Sequence, residues 1–264
     1  MELYDDFDYL CNEPYFIPNI GTIINPTLRD IRKITHKIFT LYVNLCAMSV
    51  NDYLEQFNLK EQYDSLSQEE EEDKNNLYTL LLYTNKELLF GMIGFFMKDN
   101  VDFIKADLSF HIYTEEVNED GDDIKKEIGV INSDNFDTFR NEVLKILGFK
   151  QIETKKPKYK TERARLLAEK IAKAKSQLPK ATKQDENMIF DNLIKKYCTH
   201  NKVGINILNV WDMTFYQFNT MFTEYNIGRQ MDFNDAMASN TFSYKESSDY
   251  NPMLWIEKIN NNDN

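Results

Sequence analysis

The chain is poor in the residues from which catalytic and membrane architectures are usually recognised. Its 264 residues include 8 glycines, 3 cysteines and 3 histidines. So little glycine leaves scant material for phosphate-cradling loops, and no phosphate loop, dinucleotide fingerprint or nucleophile elbow occurs. Cys11, Cys46 and Cys198 are odd in number and far apart. That spacing supports neither a disulfide framework nor a zinc site, and fits scattered reduced thiols. His36, His111 and His200 are as widely separated, and no two stand at the helical spacing of a metal-binding pair. Cys198-Thr199-His200 places a thiol near an imidazole in sequence, but nucleophile and base are normally brought together by the fold. Carboxylates are abundant, yet nothing pairs two of them for acid–base work. The expectation is a non-enzyme with no metal or cofactor.

Long apolar runs are missing too. None reaches the roughly 18 residues of a membrane span; the best candidate, Leu77 to Met97, is interrupted by Asn85, Lys86 and Glu87. The start, Met1-Glu2-Leu3-Tyr4-Asp5-Asp6, is acidic and has no signal-peptide pattern, so the expected location is the cytoplasm.

What the chain does have is aromatic bulk and charge. Hydrophobic residues make up 42%, with 15 tyrosines and 18 phenylalanines, enough for a buried core and too much for a disordered chain. The net charge of −12 argues against general nucleic-acid binding. It is distributed unevenly. Lys150 to Gln184 holds 12 Lys/Arg against 3 Asp/Glu, so +9, and the remainder is −21.

The pattern of elements is α+β and mostly α. Residues 1–24 read as an irregular arm with a short extended piece at Ile20–Ile24, because Pro14 and Pro18 disfavour helix. Asn25 as cap and Pro26 at the first helical position predict a helix whose apolar stripe runs Leu28, Ile31, Ile34, Ile38, Leu41, Leu45 and Met48. Ser49 or Asn51 opens a second. Leu77–Leu82 and Leu88–Met97 read as buried helices broken near Thr84-Asn85, with Gly91 and Gly94 offering room for another backbone. Residues 101–131 switch to alternation and predict a β-hairpin. Ser133 or Asp134 then caps a helix that ends at Gly148. A basic connector, 150–184, follows, with an Ala/Lys/Arg-rich helix from about Thr161 to Leu178. The C-terminal region, 185–264, is helical, and Thr214 is its clearest N-cap. Glu116, Asn118, Asp120, Gly121 and Glu127 fall at calcium-loop positions, but the flanks read as strands and a solvated acidic turn is the better reading.

Two sets of residues are candidates for contacting a partner. Arg163, Arg165, Lys170 and Lys173 lie on the basic helix; a solvated face is the plain alternative, and aromatic interleaving for nucleic acid is absent apart from Tyr159. Trp211, Phe215, Phe218 and Phe222 belong to an aromatic C-terminal run, for which core packing is the default and an exposed groove the alternative.

Three islands carry a family resemblance: Ile20-Gly21-Thr22-Ile23 with Pro26-Thr27-Leu28-Arg29-Asp30-Ile31, then Asn135-Phe136-Asp137-Thr138-Phe139-Arg140, then Met213-Thr214-Phe215-Tyr216-Gln217 with terminal Trp255. In order and spacing they resemble the tail assembly chaperones of long-tailed phages of Gram-positive bacteria. The resemblance implies a non-catalytic cytoplasmic protein, absent from the mature virion. It would bind the tape measure protein, keep it soluble and help bring tail tube subunits to it; self-association stays open. Two other readings stand beside it: a structural tail or connector component, and a small regulator binding nucleic acid through the basic stretch. The expected division is an N-terminal helical region with a hairpin (1–149), the connector (150–184) and the C-terminal helical region (185–264).

Overall fold

The computed structural model describes residues 4–64, 76–117, 123–149 and 189–239. They form an α+β fold that is mostly helical. A small hairpin, β1 (Tyr15–Ile17) and β2 (Gly21–Ile23), leads into α1 (Leu28–Ile34), α2 (His36–Ala47), α3 (Val50–Gln56) and α4 (Lys60–Asp64). After α5 (Leu77–Thr84) and α6 (Lys86–Phe96) comes a three-stranded antiparallel sheet of β3 (Asn100–Ile104), β4 (Ser109–Val117) and β5 (Asp123–Ile131). The chain continues through α7 (Phe136–Ile146), α8 (Phe190–His200) and α9 (Phe215–Ala238).

The core is aromatic and continuous. Phe39 of α2, Leu89, Met92, Ile93 and Phe96 of α6, Phe110 and Ile112 of β4, and Phe136, Phe139 and Val143 of α7 are all buried in it, with Phe215 and Phe218 of α9 joining from the far end of the chain. α5 and α6 meet at Asn85, as their composition predicts. Gly91 makes room for the Tyr42 phenol, not for a backbone, because a Cβ there would clash with the Tyr42 hydroxyl; a Cβ at Gly94 would meet no described residue outside its own helix turn.

The N-terminal arm is a docked hairpin. Its turn uses positive φ at Asn19 (64°) and Gly21 (111°), conformations open to asparagine and glycine. The turn sits on Gly129 of β5: Val130 N–H donates to the Asn19 carbonyl at 3.0 Å, and a Cβ at Gly129 would stand 2.5 Å from the Ile20 carbonyl carbon. A bulge between Ile112 and Tyr113 shifts the β4–β5 register beside it. On the other side Ile24 N–H donates to Phe96 O and Lys98 N–H to Thr22 O, at 2.8 and 2.9 Å. The hairpin is thereby pinned between the end of α6 and the sheet.

Several expected boundaries move. The cap of α1 is Thr27, not Asn25: its hydroxyl accepts from Asp30 N–H at 3.1 Å while the Asp30 carboxylate accepts from Thr27 N–H at 3.2 Å. Pro26 lies before the helix because its carbonyl is engaged elsewhere, accepting from Phe215 N–H. The single long helix from Leu28 is two, broken at Thr35, where φ is 74°; Ile38 is consequently exposed. The hairpin at 101–131 is a three-stranded sheet, since the half-buried, polar-flanked Asn100–Ile104 pairs with β4. The helix after it begins at Phe136, with Asn132 accepting from Asp134 N–H instead of a Ser133 or Asp134 cap. Ser49 does cap α3, and Gly148 does close α7 with φ of 80°.

The helix starts at the two ends of the chain are bonded to each other. Leu28 N–H donates to Met213 O and Phe215 N–H donates to Pro26 O, both at 2.9 Å, so Thr27 and Thr214 face each other as an antiparallel bridge. Thr214 caps α9 as predicted, with Gln217 completing its capping box. Outside this bridge the Arg29 guanidinium donates to Asp212 Oδ1 at 2.7 and 3.2 Å.

Candidate functional site

The described residues that carry the family resemblance lie at junctions of the fold. Ile20 and Gly21 shape the hairpin that docks on β5, and a Cβ at Gly21 would lie 2.8 Å from both Ile112 and Met97. Pro26, Leu28, Asp30 and Thr214 build the reciprocal helix start. Phe136 is fully buried, and Arg140 beside it donates to the carbonyls of Leu45, Cys46 and Met48 at 3.4, 3.3 and 2.7 Å. A guanidinium there satisfies the open carbonyls at the end of α2 and complements the negative end of its dipole.

The aromatic candidates divide. Phe215 and Phe218 are buried, so they serve the core. Phe222 is half-buried and stacks on Phe218 at 6.0 Å. Trp211 is also half-buried, with its indole N–H donating to Ile207 O at 2.8 Å. Arg163, Arg165, Lys170, Lys173 and Trp255 lie outside the described residues.

The sequence gives no sign of a cleft between the end of α8 and the middle of α9. It encloses about 560 Å³ and is lined by Tyr197, His200, Asn201, Lys202 and Val203 on one side and by Met221, Tyr225, Gly228, Arg229 and Phe233 on the other, with Glu224 and Asp232 at its rim. Tyr197 anchors the floor: it is 1% exposed and meets Phe218, Phe222 and Tyr225 edge-on. Lys202 Nζ reaches Asp232 across the cleft at 3.2 Å.

The turn from Asn201 to Asn209 forms one lip, and asparagines organise it. Asn201 donates to the Tyr197 and Ile205 carbonyls and accepts from Val203 and Ile205 N–H at 3.1 and 3.2 Å. Asn206 accepts from Leu208 N–H at 2.9 Å, and Asn209 accepts from Asn206 N–H at 2.7 Å. Short amide side chains that bond nearby backbone brace such a turn locally. Ile205 of the turn packs against the core, whereas Val203 is 60% exposed and Leu208 83%, with Phe233 of α9 at 65%. Large apolar groups held in water on a braced turn are a surface suited to binding.

Several titratable groups elsewhere already have partners or are buried. His111 Nδ1 meets Glu127 at 2.6 Å and Nε2 meets Asp107 at 2.8 Å; these hydrogen bonds raise its pKa. Glu116 accepts from Lys126 at 3.0 Å, so both end carboxylates of the calcium-like pattern already have partners, and the flanks are strands; Asn118 to Gly121 lie outside the described residues. Burial pushes the Cys46 thiol to about 12 and raises that of Cys198. His36 stacks on Phe190 at 4.6 Å. Among the described residues no group of three His, Cys, Asp or Glu side chains could hold a metal ion, and no helix is long and apolar enough to cross a membrane.

Comparison with known proteins gives one finding. A protein-family model described as the YomV second domain matches residues 181–260, somewhat under a third of the chain. No curated protein and no solved structure matches. The matched span contains α8, the asparagine turn, the cleft and α9. The family is phage-derived, so the segment that builds the cleft is similar to a phage-associated domain.

Proposed function

We propose that this chain is a non-catalytic phage assembly chaperone of the host cytoplasm that holds the tape measure protein soluble and helps bring tail tube subunits to it. The observation that carries this reading is the braced turn of residues 201–209, which presents Val203, Ile207 and Leu208 to solvent beside a cleft lined by charges of both signs. A long amphipathic helix needs such an apolar seat, and the net charge of −12 keeps a complex soluble. The three resemblance islands point to the same assignment, and the family match supports its association with a phage.

Co-expression with the tape measure protein of the same genome tests it. The client should become soluble and co-purify, and the double substitution Ile207→Glu, Leu208→Glu should abolish capture while leaving the far-ultraviolet circular dichroism unchanged. A client that stays insoluble and unbound, or that binds the double variant as well as the original, overturns the reading. Recovery of the chain at stoichiometric copy number in purified particles would favour a structural tail component instead.

A further inference from the structure

α1 and α2 carry one apolar stripe but are two helices. On a continuous helix the buried Leu28, Ile31, Phe39, Tyr42 and Cys46 would share one face, with Ile38 in the row of Ile31. The break falls at Thr35, whose backbone takes φ of 74° and ψ of 145°. Those angles border a region essentially reserved for glycine, and a β-branched residue tolerates positive φ least. Local compensation is thin. Thr35 N–H donates to Arg32 O at 3.3 Å, and its hydroxyl accepts from Ile38 N–H at 3.5 Å, the long end of hydrogen bonding. Ile38 is left 39% exposed. A strained residue of this kind persists only where its surroundings over-determine it.

The surroundings that hold the bend come from the other end of the chain. On the α1 side, Leu28 N–H donates to Met213 O at 2.9 Å and Arg29 pairs with Asp212 at 2.7 Å. On the α2 side, His36 stacks on Phe190 at 4.6 Å with the rings 9° from parallel, and Phe39 meets Phe215 at 5.0 Å. Phe190, Asp212, Met213 and Phe215 all lie in the family-matched span. The far end of α2 is fixed to the N-terminal half instead, through Arg140 on the Leu45, Cys46 and Met48 carbonyls.

We infer that Thr35 is a hinge held bent by the C-terminal segment. When that clamp opens, Leu28–Ala47 straightens into one helix and Ile38 turns onto its buried face. The two ends of the chain are thereby coupled in both directions. Release of the clamp relieves the strain at Thr35, and straightening withdraws the Leu28 amide and the Arg29 guanidinium from their partners. By linkage, whatever favours one change favours the other to the same extent. The coupling does not depend on what the chain binds.

Nuclear magnetic resonance on variants of the full chain tests the hinge. Arg29→Ala with His36→Ala removes two clamp contacts made by exposed residues and leaves the core rings in place. Adding Thr35→Ala keeps the strain, deletes the cap and supplies a strong helix former. In that triple variant the carbon shifts at position 35 should turn from extended to helical. Amide exchange at positions 36 and 37 should slow by about tenfold or more, as those groups gain helical bonds to Arg32 and Lys33. Thr35→Gly, which takes the bend without strain, should keep position 35 extended even with the clamp pair removed. In the otherwise unchanged chain, Thr35→Ala should speed exchange at Leu28 and Phe215, and Thr35→Gly should slow it, each by about threefold or more. Extended shifts at position 35 in a folded triple variant overturn the proposal. So does equal exchange at Leu28 and Phe215 in the two single variants, which decide the matter alone if the triple variant loses its fold.

Discussion

Single residues decide how the N-terminal hairpin and the sheet hold together. Gly129 lies under the Ile20 backbone with no room for a methyl group. Gly129→Ala should cost about 1–3 kcal/mol by overpacking, measured by urea denaturation, and should speed amide exchange at Val130, whose N–H bonds Asn19. His111 makes a second, pH-dependent contribution. A neutral imidazole donates from one nitrogen only, so bonding both Asp107 and Glu127 favours the doubly protonated ring and raises its pKa above 6.5. The stabilisation is fully present below the unfolded value and is lost as pH rises through the folded one. His111→Gln should therefore lower the urea midpoint most at about pH 6, with the gap narrowing towards about pH 9. An unchanged gap across that range would mean that the imidazole's charge has no part in stability. Phe218 and Phe233 show what chain position alone conceals: both are aromatics on α9, one 1% and the other 65% exposed.

At the scale of elements, the helix starts carry the assembly. Bringing the amino ends of α1 and α9 together sets two positive dipole ends side by side. Asp30 and Asp212 offset this. Burial works against the Asp30 carboxylate, but its hydrogen bonds to Lys33 and Thr27 prevail and hold its pKa below the usual range. Thr27→Ala and Thr214→Ala should each cost about 1 kcal/mol, and their effects should fall short of or exceed additivity by about 0.5 kcal/mol or more because the two caps share one bridge. A thermodynamic cycle from chemical denaturation checks the coupling. The caps also mark what can be read from sequence. Ser49 and Thr214 stand out because polar caps precede recognisable apolar runs. Asn25 misleads because Asn followed by Pro is an equally good local signal, and the tie is broken by Pro26 O bonding Phe215, a contact no local pattern contains. The break at Thr35 is hidden because the apolar spacing continues through it, and β3 because its half-buried residues alternate too weakly to mark a strand.

At the scale of the whole molecule, composition is enough for the α+β, mostly helical class, but the cleft is not legible. Its walls, 197–203 and 221–233, are individually ordinary: an amphipathic helix end, an asparagine-rich turn and a run of aromatics. Only the packing of Tyr197 against Phe218, Phe222 and Tyr225 sets them face to face. The expected division at the basic connector meets a C-terminal region whose first helical turns are packed into the N-terminal core through Phe39, His36 and Tyr9. Residues 181–264 expressed alone should accordingly lose the α9 cap bridge and expose Phe215 and Phe218, giving low helicity by circular dichroism and poorly dispersed amide resonances. A well-dispersed spectrum would instead establish an autonomous unit. The bridge also has a consequence in time. During synthesis the Pro26 carbonyl and Leu28 amide emerge early, while their partners follow more than 180 residues later, as the 183-residue separation of Arg29 and Asp212 indicates. At about 5–20 residues per second, the ribosome leaves that half-built seam open for roughly ten seconds or longer, so the chain's own N-terminal half is the first surface in need of protection from premature association.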